Sequence, residues 1–197
     1  MSNTNSAFGL RPVRRLGGAP MHGAITPYWV RSDYATSLFI NDPVVVSGAS
    51  DTYQGETLPN VVLATAGASN QITGSIVGFE PNPSVVSLGY GLASTQRKVY
   101  VCDAPDVLFE IQEDGLVTPI ATASIGLNAN LISGSGSVYH KKSGWLLDSD
   151  SVGSDATYQL TVRSLVQRPD NEAATAYAKY LVSINLHTNR LGALAGL

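Results

Sequence analysis

The stretch Asp103 to Gly115, "DAPDVLFEIQEDG", holds five carboxylates: Asp103, Asp106, Glu110, Glu113 and Asp114. Crowding of this kind could supply a general acid and base, or oxygen ligands for a hard cation. Glycoside hydrolysis needs just two carboxyl groups, usually held on different strands, so proximity in sequence does not argue for it. The periodicity points elsewhere. Val107, Phe109 and Ile111 fall on one face of a strand, with Leu108, Glu110 and Gln112 on the other. Asp114-Gly115 then suits the tight turn of a hairpin, because glycine accepts positive φ and aspartate bonds its own backbone. Glu113 and Asp114 are thus expected at a turn, and Asp103 and Asp106 around Pro105. Only Glu110 lies mid-strand.

The remaining chemistry-bearing residues supply no accomplices. No Walker loop, G-x-S-x-G elbow or H-E-x-x-H helix is present. His22, His140 and His187 are far apart and in unlike contexts, which predicts surface or structural roles. Asp148 and Asp150 in "LDSDSVGSD" resemble the opening of a calcium loop. Val152 then stands where a third oxygen ligand is needed, and no bidentate glutamate closes the loop. The Gly-Ser-Gly at Gly134 to Gly136 lacks the third glycine of a dinucleotide fingerprint. Cys102, the single cysteine, follows Val99-Tyr100-Val101 and reads as a buried structural thiol. A catalytic site needs a base, an orienting group and a pocket, and here the sequence offers acids alone. The expectation is therefore a non-enzyme with no catalytic residue, cofactor or metal.

Composition narrows the class further. Of the 197 residues 44% are hydrophobic, enough for a core, while 14% are charged against about 25% in ordinary soluble domains. The surface must be built largely from Ser, Thr, Asn, Gln and Gly, as suits a protein held against other protein surfaces. A net charge of −3 gives no general attraction to nucleic acid. No apolar run approaches the roughly 20 residues of a spanning helix, so no membrane partner is expected. The opening "MSNTNSAFGLRPVRR" has no apolar core of signal-peptide length, and the lone cysteine excludes an internal disulfide. Folding in a reducing cytoplasm is the expectation.

Three segments are expected. Residues 1–20 read as an extended N-terminal arm, with Pro12, Gly17, Gly18 and Pro20 breaking any regular element. Residues 21–189 form a β-rich body, and residues 190–197 ("RLGALAGL") a tail. Strand-like runs in the body include "ITPYWV", "SLFI", "PVVVSG", "NVVLATAG", "TGSIVGFE", "RKVYVC", "VLFEIQ", "SGWLLD", "ATYQLTVRSLV" and "AKYLVSINLHT". Asp170 to Tyr180 competes as a helical turn or two, with a capping residue ahead of alanines. "LISGSGSVYHKKSG" reads as an exposed, mobile loop. The pattern predicts an all-β fold, a sandwich, barrel or jelly roll.

Several stretches, in order, carry a resemblance: "FGLRPVRRLGG", "YATSLFINDPVVVSG", "ASTQRKVYVCDAPDVLFEIQEDG", "IGLNANL", and "QRPDNE" with "INLHTNR". Together they resemble the capsid cement (decoration) proteins of tailed bacteriophages with podophage-like heads. The resemblance implies a jelly-roll-like body outside the mature head, clamping neighbouring major capsid proteins as a homo-oligomer, a dimer or trimer. It supplies no catalytic residues. With the arm as the docking element, the expected capsid contacts are Phe8, Leu10, Arg11, Arg14, Arg15 and Leu16. Two other readings stand beside it. One is a carbohydrate-binding β module of a phage fibre or other surface protein, using its tyrosines and Trp29 or Trp145. The other is a small β-rich hydrolase built on Glu110.

Overall fold

A computed structural model describes residues 3–21, 24–81, 88–116 and 118–190. His22 and tail residues 191–197 lie outside the described residues. The fold is all-β. Among the described residues twelve strands run in chain order: β1 (Arg11–Arg15), β2 (Ile25–Val30), β3 (Pro43–Tyr53), β4 (Glu56–Leu63), β5 (Gly74–Phe79) and β6 (Arg97–Cys102). The second half comprises β7 (Val107–Gln112), β8 (Asn128–Ala129), β9 (Leu131–Ile132), β10 (Leu146–Leu147), β11 (Leu160–Leu165) and β12 (Lys179–Ile184).

They form a five-stranded antiparallel sheet in the order β1-β7-β12-β11-β8, a closed barrel β2-β4-β3-β5-β6, and the small pair β10-β9. Sandwich-like packing and a barrel thus occur together. The five-plus-five arrangement does not reproduce the eight-strand double Greek key of a jelly roll.

Alternation decides where each face goes. Phe109 and Ile111 of β7, Tyr180, Val182 and Ile184 of β12, and Leu160 and Val162 of β11 share the inner face of the sheet. They meet Leu131, Trp145 and Leu147 in the larger core. Val44, Val61, Ile76, Val99 and Val101 fill the barrel with Tyr28 and Leu38. Each large aliphatic side chain so buried contributes about 1.5–3 kcal/mol.

Four sequence expectations change. "DVLFEIQEDG" is a strand, but not half of a local hairpin: β7 pairs with β1 and β12, both remote in sequence. Gly115 does take positive φ, at 71°, as the Asp-Gly pair required. Residues 11–15 form a regular strand despite Pro12, because β1 is an edge strand and its register shifts between Pro12 and Arg14. Asp170 to Tyr180 contains no helix: turns and irregular backbone lead into β12 at Lys179, with Ala174 and Tyr177 at φ 52° and 66°. There Asn171 donates from Nδ2 to the Val166 and Lys179 carbonyls and accepts the Lys179 N–H at 2.8 Å, in competition with helical bonding. Finally, "SLFI" is no strand but two isolated bridges, Leu38 to Gly91 and Ile40 to Lys142.

The N-terminal segment runs against the body. Asn3 is buried, donating to the carbonyls of Glu172 and Ala176 and to Thr175 Oγ1, and accepting from the Glu172 N–H. Ser6 N–H donates to Gln112 Oε1 at 2.9 Å, and Leu10 N–H to the Asn41 carbonyl. Gly9, at φ 73°, lies against Ser143 and the Asn41 carbonyl, where a Cβ has no room. This overlay explains why all six residues of β7 are buried, its polar face included.

Candidate partner-binding surface

Glu110 stands on the outer face of β7, directly opposite Arg11 of β1. Its Oε2 receives Arg11 Nη2, and its Oε1 receives Arg168 Nη2 at 2.7 Å. Both carboxylate oxygens of this buried group are therefore taken by guanidinium donors. The Arg11 guanidinium also lies 4.9 Å from the centre of the Phe8 ring. Glu110 is a latch that fastens the edge strand and the segment after β11, not a free base.

The other four acids of the opening stretch diverge from it. Asp103 accepts from Thr26 Oγ1 at 3.0 Å and Tyr28 Oη at 2.8 Å. Asp106 faces Arg15 at 3.5 Å. Asp114 Oδ1 accepts from Ser149 Oγ at 2.8 Å. Glu113 is fully buried, with Oε2 accepting the Ile120 N–H at 2.9 Å and Oε1 lacking any partner among the described residues. Burial pushes the Glu113 carboxyl up to about 7.

This carries a pH dependence. The folded state binds the Glu113 proton more tightly than the unfolded chain, whose value is 4.5. The contribution to stability is therefore present below about 4.5 and is lost as pH rises through about 7, on the order of 2–3 kcal/mol. Asp42, raised to about 6 by burial, acts in the same sense, and buried His187, lowered by burial, acts in the opposite sense. Subtracting the urea-unfolding profile of Glu113→Gln from that of the parent isolates Glu113. The difference should grow in the variant's favour from acid to mildly alkaline pH; a flat difference would remove Glu113 from the account.

The remaining sequence candidates take up structural tasks. Cys102 is buried, its thiol pushed up to about 12 by desolvation. His140 is exposed, and His187 Nδ1 accepts the Asn189 N–H at 3.0 Å. Asp148 and Asp155 accept the backbone N–H groups of Asp150 and Thr157, tightening their own turns. Both tryptophans are enclosed, Trp29 at 1% exposure and Trp145 at 2%, so neither presents a face for stacking on a sugar. The loop containing Gly134 to Gly144 is exposed at its tip, with Tyr139 at 87%. At its base Gly134 abuts Gly144, and Gly136 abuts the Phe39 ring.

The six contact candidates divide. Leu10 is wholly buried in the larger core, and Phe8 is nearly so. Arg11 is held by Glu110, and Arg15 by Asp106. Arg14 and Leu16 are exposed, as is Val13 beside them, and Arg14 has no carboxylate partner among the described residues. These three present an apolar and cationic strip along an edge strand.

No protein-family model matches this chain, and no curated protein or solved structure is significantly similar to it.

One group escaped the sequence reading entirely. Lys142, Arg168 and Lys179 come from three separate segments and converge with Arg11 around one cleft. No spacing along the chain signals that convergence.

Proposed function

We propose that this protein is a capsid cement protein of a tailed bacteriophage. It binds the outer surface of the mature head and clamps neighbouring major capsid proteins, acting as a homo-oligomer on the virion. The observation that carries this reading is the edge strand β1 with Leu16 directly after it, where Val13, Arg14 and Leu16 are exposed on a segment fastened along its length. A fixed strip loses little conformational entropy on docking, and an unpaired arginine suits an acidic partner surface. The low proportion of charged residues and the resemblance to decoration proteins support the same role. Many copies on a lattice would multiply a modest contact into a stable coat against internal DNA pressure.

The purified chain should co-sediment saturably with empty, expanded heads of the phage that encodes it. The double variant Arg14→Glu, Leu16→Asp should bind about tenfold more weakly or worse while its thermal unfolding is unchanged. Unaltered affinity would remove this strip from the interface. Failure of the parent to sediment would sink the cement reading and bring forward the carbohydrate-binding module, which a glycan array would then test.

A further inference from the structure

The outer face of the five-stranded sheet carries a second feature that the cement reading does not use. A cleft of about 490 Å³ opens between residues 6–8, the tip of the loop around Ser137 and His140, and the segment after β11. That volume lies within the roughly 300–1,000 Å³ of small-molecule sites. Four of the chain's twelve Lys and Arg residues line it: Arg11, Lys142, Arg168 and Lys179.

Two carboxylates oppose them. Glu110 is consumed by Arg11 and Arg168, and exposed Asp170 lies 3.5 Å from Arg168 Nε. Four cations less two carboxylates leave two positive charges, in a chain whose overall charge is −3.

Lys179 decides the reading. It is only 8% exposed, opposite Gln112 on the covered face of the sheet, yet it lines the cleft. Its backbone is fixed on both sides, with Asn171 Oδ1 accepting its N–H and the Asn171 amide and Val166 N–H donating to its carbonyl. Its ammonium has no acceptor among the described residues. Gln112, the nearest polar neighbour in register, is already engaged with Ser6 and Asn5. The residue is covered by protein while its ammonium reaches solvent through the cleft, so a positive charge held on a fixed strand is open there to an anion. Lys142, exposed at the rim, is likewise without an acidic partner among the described residues.

We propose that this cleft binds an oxyanion, a carboxylate or phosphate group, with Lys179 as the buried anchor and Lys142 and Arg168 closing over it. Phe8 forms an apolar wall beside the anion, and the volume beyond leaves room for the group to be carried on a larger molecule. The site is separate from the β1 strip and does not depend on the cement role.

The test uses the full chain, titrated with inorganic phosphate and with citrate against sodium chloride at matched ionic strength, followed by amide chemical shifts. Saturable shifts are expected around Lys179, Lys142 and His140 and not at Arg14. Citrate alone, or phosphate alone, would assign the oxyanion as carboxylate or phosphoryl; either supports the site. Lys179→Met should weaken binding about tenfold or more, and Lys142→Gln several-fold. The exposed Lys142 variant keeps the test readable if Lys179→Met fails to fold. Absence of saturable binding at millimolar concentrations, or unchanged affinity in both folded variants, would overturn the proposal. Loss of head binding in the β1 variant leaves this titration unaffected, so the two readings fail separately.

Discussion

Glu110→Ala is expected to lower folding stability by about 3 kcal/mol and to make the first twenty residues a protease target. Glu110 receives both Arg11 and Arg168, one on each oxygen, in a position almost closed to water. Removing one partner of a buried ion pair leaves the other charge uncompensated, which costs about 3–5 kcal/mol in enclosed sites. Here the arginines are partly exposed, at 43% and 37%, and can turn to solvent, which places the value at the lower end. A loss of that size corresponds to a fall of about 6–12 °C in Tm for a chain of this length. The same change frees β1, because Arg11 is the charged tie between the edge strand and β7. Limited proteolysis with trypsin and mass analysis checks this directly: cuts should concentrate at Arg14 and Arg15, since Pro12 protects the bond after Arg11. A wild-type digestion pattern and Tm would show that the latch is incidental.

The second large effect is at Gln159, wholly buried just before β11. Its Oε1 accepts the Gly67 and Leu131 N–H groups at 3.0 and 3.2 Å. Its Nε2 donates to the Thr65 and Asn70 carbonyls at 2.8 and 3.1 Å. One amide therefore satisfies four backbone groups and joins the loop after β4 to the sheet. Gln159→Leu fills the same space and orphans all four, each at about 1–3 kcal/mol before water relieves some of them. A net loss of about 4 kcal/mol is expected from chemical denaturation. Gln159→Glu distinguishes hydrogen bonding from packing. It loses both donations and sets a carboxylate against two carbonyls, so its deficit should shrink at about pH 4, where the protonated acid donates again. A deficit that ignores pH would point to shape alone.

Much of this fold was legible along the chain where local pattern and burial agree. "RKVYVC" and "VLFEIQ" coincide with β6 and β7, and the alternation of Tyr180, Val182 and Ile184 is the core face of β12. What escaped was set by distant partners. Pro12 reads as a breaker until β1 is known to be an edge. The second half of β3 escaped because its hairpin turns on Gln54-Gly55, both at positive φ (53° and 81°), and Gln is an uncommon first residue for such a turn. The alanine run before β12 looked helical because propensity counts side chains, whereas Asn171 captures the backbone instead. In "ATYQLTVRSLV" the alternation sets Gln159 opposite Leu160 and Val162, on a face that reads as polar, yet in the folded chain Gln159 is covered. The basic cleft is assembled from four segments, and only tertiary packing places its lysines together.

The same logic settles the carboxylates of Asp103 to Gly115. Their number suggested chemistry, but each is turned to a different neighbour: an arginine pair, a single arginine, a tyrosine and threonine, a serine, a backbone N–H. Glu110 among them secures the edge strand β1 to β7.

The central claim is that this protein clamps the head from outside. Its most direct test is the temperature at which DNA is released from heads assembled without it, measured before and after adding back the purified chain. Addition of the parent should raise the release temperature to that of complete particles, and the Arg14→Glu, Leu16→Asp variant should not. Heads that release DNA at the same temperature with and without saturating protein would contradict the account.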